Sequence, residues 1–294
     1  MEPQRTVEQA HPVQLARPGL SSAVQGGAGA VTDQPRAAFG VLSWRVNLAV
    51  VLGLLAASLL AWQYTIEQSI SMRGMVMGLG QIGWLAQGDM GAGVFLAMWV
   101  TMMAAMMLPT IAPIVLVHLG VARRRGRGIL ATLAFIAGYL LVWSAAGVLP
   151  LLVFKAVARW GDDIGQAWLP VLAGGILIFA GAYQFTGRKR LCYEHCQSPF
   201  GFIASHDFGS GAIGALRTGA VHGAYCLGCC WAMTAVLLAV GLMNLVWMVG
   251  IFAVFLVEKS WRHGLVVSKL GGVLLIALGA AVIARPTLLA SIAL

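Results

Sequence analysis

Residues 92–118 read AGVFLAMWVTMMAAMMLPTIAPIVLVH, 27 residues without an Asp, Glu, Lys or Arg. A helix needs about 20 apolar residues to cross the hydrocarbon core of a bilayer. In lipid, only a helix or a closed barrel satisfies its own backbone polar groups. The run therefore reads as a membrane-spanning helix, and the chain around it repeats the signal. Further apolar runs at 41–62, 129–153, 169–186, 214–241, 244–259 and 267–285 bring the count to seven. Only a tight turn near Met243 and Asn244 separates the runs 214–241 and 244–259, so six is the alternative count. The expected fold class is all-α, a polytopic transmembrane helix bundle.

Composition supports this reading. Hydrophobic residues make up 60% of the 294 and charged residues only 10%, with a mean hydropathy of +0.85. Soluble domains carry about 25% charged residues. So few charges leave a water-facing surface uncovered, which excludes a soluble enzyme, a DNA-binding domain and a disordered chain. The 37 Gly and 10 Trp suit close helix contacts and interfacial indoles. The net charge of +9 reads as a topology signal. With the N-terminus inside, the inside segments hold 15 of the 19 Lys and Arg, leaving Arg73, Lys155, Arg159 and Arg285 outside. That bias is what the positive-inside rule requires, and it accounts for the basic excess without nucleic acid. Residues 1–40 read as a disordered cytoplasmic tail, and residues 41–294 as the helical domain. No short apolar core with a small-residue cleavage site opens the chain, so no cleaved signal peptide is expected.

Two helices carry unusual chemistry. Five of the 13 Met fall within residues 98–107. Met98, Met102 and Met106 share one helical row, and Met103 and Met107 the adjoining one. The rows extend about 13 Å along the axis. Thioethers are soft ligands suited to Cu(I), and they are also adaptable core fillers. Pro109 and Pro113 follow; each frees the carbonyl four residues back, those of Ala105 and Pro109, for some neighbouring donor. The second helix contains His222, Cys226, Cys229, Cys230 and Met233 on one side. That stripe offers imidazole, three thiols and a thioether with no carboxylate nearby, which favours Cu(I) first and Zn(II) second. Cys229 and Cys230 are too close along the chain to bridge each other.

The polar connection 187–211 holds Cys192, His195 and Cys196, half of a metal site whose other half would be His206 or the membrane thiols. Met72, Met75, Met77, Asp89 and Met90 form an outside cluster able to capture Cu(I). Glu258 and Lys259, beside Trp261, read as an interfacial anchor. No carboxylate is placed mid-membrane for ion coupling, and no nucleotide-binding loop is present.

The stretches MWVTMMAAMMLPTIAP, HGAYCLGCCWAM, GLMNLVWM and VEK resemble an uncharacterised bacterial family. Its members are described as predicted metal-binding multi-pass integral membrane proteins, a domain of unknown function. The resemblance covers about residues 90–285. It implies a bacterial cytoplasmic (inner) membrane location and a bound metal, with no established reaction. The matched positions are Met98, Met102, Met103, Met106 and Met107, with Cys226, Cys229 and Cys230.

Together these features point to a Cu(I)-handling membrane protein, a transporter or metallochaperone, and to binding rather than catalysis. Its partners would be the bilayer, the metal ion and a metallochaperone or metalloenzyme. A thiol–disulfide oxidoreductase using Cys226, Cys229 and Cys230, and an assembly factor for a membrane metalloenzyme, are the alternatives.

Overall fold

The computed structural model describes residues 34–71, 91–164, 169–198, 201–203 and 211–292. Residues 1–33 of the expected tail, the Met72–Met90 cluster, His206 and Asp207 lie outside them. Every regular element among the described residues is helical. The elements are α1 (Gln34–Ser71), α2 (Ala92–Arg124), α3 (Ile129–Ala146), α4 (Val148–Ile164), α5 (Leu169–Tyr183), α6 (Gly187–Gln197), α7 (Gly211–Val240), α8 (Leu245–Ser260), α9 (Gly264–Ala284) and α10 (Thr287–Ile292).

The chain divides into two units, Met1–Leu42 and Ser43–Leu294. The first contributes only the opening turns of α1 to the described residues. The second holds every element that bears on the site.

Among the described residues, five helices are long and apolar enough to cross a membrane: Trp44–Ser71, Ala92–Arg124, Ile129–Ala156, Gly211–Val240 and Gly264–Ala284. A sixth span arises if α5 and α6, bent by 64°, count as one. The upper figure equals the smaller of the two counts expected from sequence. The missing seventh is α8, whose 16 residues reach only about 24 Å. The bundle is apolar outside as well as inside: Leu59, Leu60, Leu130, Leu149, Val246 and Leu274 are all exposed. So extensive an apolar surface would be unstable in water and suits lipid.

Small residues set the packing. α3 lies most extensively on α7, and α5 on α9. A Cβ on Gly138 would collide with the Leu216 carbonyl, and one on Gly219 with that of Phe135. Between α5 and α9 the contact is reciprocal. A Cβ on Gly279 would sit 2.6 Å from the Gly174 oxygen, and one on Gly272 would sit 2.8 Å from the Gly181 oxygen. Close backbone approach of this kind is how membrane helices gain packing energy without a hydrophobic driving force. Ser268 adds an interhelical hydrogen bond, donating to Gln184 Oε1 at 2.9 Å.

The carbonyl freed by Pro109 finds a donor on another helix. Ser58 Oγ of α1 donates to the orphaned Ala105 oxygen at 2.7 Å. The break between α7 and α8 is equally specific. Gly241, at φ 115°, supplies the left-handed residue that ends many helices. Asn244 then caps α8 by accepting from Trp247 N at 3.3 Å.

Candidate metal centre

α7 is the axis of the site. Its stripe is buried as the helical spacing requires: His222, Cys226, Cys229, Cys230 and Met233 are all buried. Beside it lies α6, in the segment read from sequence as a polar connection. Thr186 caps this helix, its side chain accepting from Lys189 N at 3.3 Å. The cap and the i, i+3, i+7 spacing of residues 189, 192 and 196 set one face toward α7. Lys189 is buried, Cys192 and Cys196 partly so, and Arg188, Arg190 and Glu194 are exposed. Helix formation across the connection is what brings a fourth thiol to the α7 stripe.

The sulfurs of Cys196, Cys226 and Cys229 lie within 4.8 Å of one another. Cys229 Sγ is central. It is 3.7 Å from Cys196 Sγ and 3.3 Å from Cys230 Sγ, and it donates to the Cys226 carbonyl at 3.2 Å. Cys226 Sγ lies 3.1 Å from Tyr139 Oη of α3 and 3.1 Å from Lys259 Nζ of α8. All five cysteines are free thiols. Of the two partners expected for Cys196, the membrane thiols lie beside it, and His206 falls outside the described residues.

The remaining sequence candidates fall around this trio. Cys192 packs against the α7 backbone, where a Cβ on Gly228 would lie 2.7 Å from its sulfur. His195 stacks on Tyr225 at 4.4 Å and lies 2.8 Å from the Leu191 oxygen through Nδ1. His222 is enclosed by Phe135, Tyr139 and Phe202 at ring separations of 4.9–6.1 Å. Its Nδ1 is buried without a hydrogen-bond partner. Met233 faces α9, its Cε 3.1 Å from where a Gly271 Cβ would stand. Met98, Met102, Met103, Met106 and Met107 are all buried in the core. Met107 reaches the thiols through a shared neighbour, its Sδ lying 3.9 Å from Lys259 Nζ.

One sequence reading needs correction here. Glu258 and Lys259 are not an interfacial anchor. Glu258 is only 1% exposed and pairs with Lys189 at 2.9 Å. Lys259 turns toward Cys226, Met107 and Thr110. A carboxylate is therefore buried at the last turn of α8. Lys189 also donates to the Cys229 carbonyl at 2.7 Å, which ties α6, α7 and α8 together at the thiols. Lys189, Lys259, Glu258 and Tyr139 are the site residues that the sequence reading missed. The available signal was the 189/192/196 spacing, which sets Lys189 on the thiol face of α6.

Three thiols from two helices, with a thioether one residue-contact away and no carboxylate in the sulfur group, make a soft donor set suited to Cu(I) or Zn(II) and unsuited to Mg or Ca. No curated protein and no solved structure matches the chain. A family model does match, over residues 96–282, a range that includes the Met rows, α6 and the thiol stripe. The chain belongs to the PpoB2 family, copper chaperone.

Proposed function

We propose that this protein is a membrane copper chaperone that carries Cu(I) as cargo on Cys196, Cys226 and Cys229. The observation that carries the reading is the convergence of three thiols from α6 and α7 within 4.8 Å, in a chain of a copper chaperone family. Copper would bind as the thiols lose their protons. The Met rows of α2 would serve as the transit path, with Met107 as the thioether nearest the thiols. The long apolar helices support a membrane setting, and we assign it to a bacterial cytoplasmic membrane with the N-terminus inside. The recipient would be a metallochaperone or a metalloenzyme.

Elemental analysis of the full chain, purified in detergent under reducing conditions, tests the assignment. Near-stoichiometric copper is expected in the wild type, falling to background in the Cys196→Ser/Cys226→Ser/Cys229→Ser variant. Unchanged copper in a folded triple variant would sink it.

One observation favours a second reading. Cys196 and Cys229 stand 3.7 Å apart in sulfur position, close enough for thiol–disulfide exchange with an external disulfide after a small approach. A Cys196–Cys229 disulfide trapped by alkylation in cells, on protein free of metal, would select the oxidoreductase over the chaperone.

A further inference from the structure

Lys259 reaches the thiols from α8, a different helix from those that carry them. Its Nζ donates to Thr110 Oγ1 at 3.0 Å and lies 3.1 Å from Cys226 Sγ and 3.9 Å from Met107 Sδ. The Phe255 ring lies 5.9 Å from the same ammonium, inside the range of a cation–π contact. The ammonium is thus held between the last thioether of α2 and the first thiol of α7. Among the described residues no carboxylate pairs with it. The other lysine at the site, Lys189, is neutralised by Glu258.

We propose that Lys259 is a selectivity residue, whose fixed positive charge beside Cys226 makes the thiol cluster prefer a monovalent soft cation to a divalent one. The proposal rests on the reading of the Cys196–Cys226–Cys229 cluster as a copper site and deepens it. Donor softness alone separates Cu(I) poorly from Zn(II), because thiolates bind both. Charge separates them. At a given set of thiols, either metal displaces the same protons and meets the same sulfur charge. The ammonium helps both metals alike by offsetting that charge. It repels the ions unequally, because Coulomb repulsion at a given distance is twice as large for a divalent ion. Partial burial of Lys259 leaves that repulsion less screened than it would be in bulk water. The Thr110 hydrogen bond and the Phe255 ring keep the charge in place.

The test measures Cu(I) and Zn(II) affinities separately for the full chain in detergent under reducing conditions. Cu(I) competes against bathocuproine disulfonate and Zn(II) against a chromophoric zinc chelator. Lys259→Gln removes the charge and adds no sulfur donor beside Cys226. The Cu(I)-over-Zn(II) preference is expected to fall at least tenfold, about 1.4 kcal/mol, mainly through tighter Zn(II) binding. Lys259→Arg keeps the charge and is expected to retain the preference, a rescue that a purely packing role would not produce. Lys259→Leu provides a second neutral variant should the glutamine variant misfold. An unchanged preference in a folded neutral variant overturns the proposal. Wild-type protein that binds neither metal, or binding that survives loss of Cys196, Cys226 and Cys229, overturns the copper-site reading instead.

Discussion

The Met rows of α2 and the thiol stripe of α7 look alike as sequence: sulfur at helical spacing in an apolar run. In the folded chain they differ in what meets them. Met102, Met103 and Met106 are buried among core hydrophobics. The α7 thiols instead face Cys196 of α6, Tyr139 of α3 and Lys259 of α8. The Met rows draw their sulfur from one helix. The thiol group gathers sulfur, hydroxyl and ammonium from four separate helices, and the proposed copper site rests on that convergence. Met107 is where the two regions touch, through Lys259.

The largest expected effect breaks the thiol side at its centre. The Cys229 sulfur lies 3.7 Å from that of Cys196 and 3.3 Å from that of Cys230. Cys229→Ser should remove nearly all bound copper by elemental analysis, whereas Cys230→Ser should leave most of it. Equal losses in the two variants would mean that the group of three is drawn wrongly and that Cys230 is a ligand too.

Next in size is the brace beneath the thiols. Removing one partner of a buried ion pair costs about 3–5 kcal/mol, because the other charge is left uncompensated. Lys189→Met should therefore destabilise the protein by that order in detergent unfolding. Lys189→Met combined with Glu258→Leu should recover much of the loss. If the double variant is no better than the single one, the charge pair is not what holds α6 against α7 and α8.

The Met side should respond differently. Met102→Ala opens a core cavity and is expected to cost about 2–5 kcal/mol. Met102→Leu conserves volume and should cost under about 1.5 kcal/mol. Copper bound at the thiols should be unchanged in the leucine variant, whatever its effect on the rate of loading. Loss of thiol-bound copper in Met102→Leu would erase the distinction between the two regions.

Much of this architecture was legible in the chain. All seven apolar runs fall on helices, and 214–241 matches α7 to within a few residues, because long uncharged runs have few alternatives in lipid. Cys226 and Cys229 were readable for the same reason: helix periodicity fixes a stripe without knowledge of its neighbours. The cations were not readable. Lys189 and Lys259 were both counted among the inside charges of the topology signal, and both turn into the bundle. A lysine near the end of an apolar run looks the same whether it snorkels outward or folds inward. Only the bend of 64° between α5 and α6 decides it for Lys189, and that bend is tertiary. Glu258 was misread for the same cause, since its partner lies 69 residues away.

The smallest effect tests the wall of the Met region. Pro109 cannot donate a backbone hydrogen bond, so the Ala105 carbonyl loses its partner within the helix. Ser58 of α1 supplies one at 2.7 Å, although the two residues are 47 positions apart. Ser58→Ala should cost about 0.6–1.7 kcal/mol, the range of interhelical hydrogen bonds in lipid. It should leave copper at the thiols untouched, because the bond serves the freed Ala105 carbonyl and no sulfur. Ser58→Thr keeps a hydroxyl and should retain most of the stability. A copper defect in Ser58→Ala at wild-type stability would mean that the backbone around Pro109 sets the geometry of Met107 and Thr110 around Lys259. The two regions would then be one site, with α2 positioning the ammonium that the thiols face.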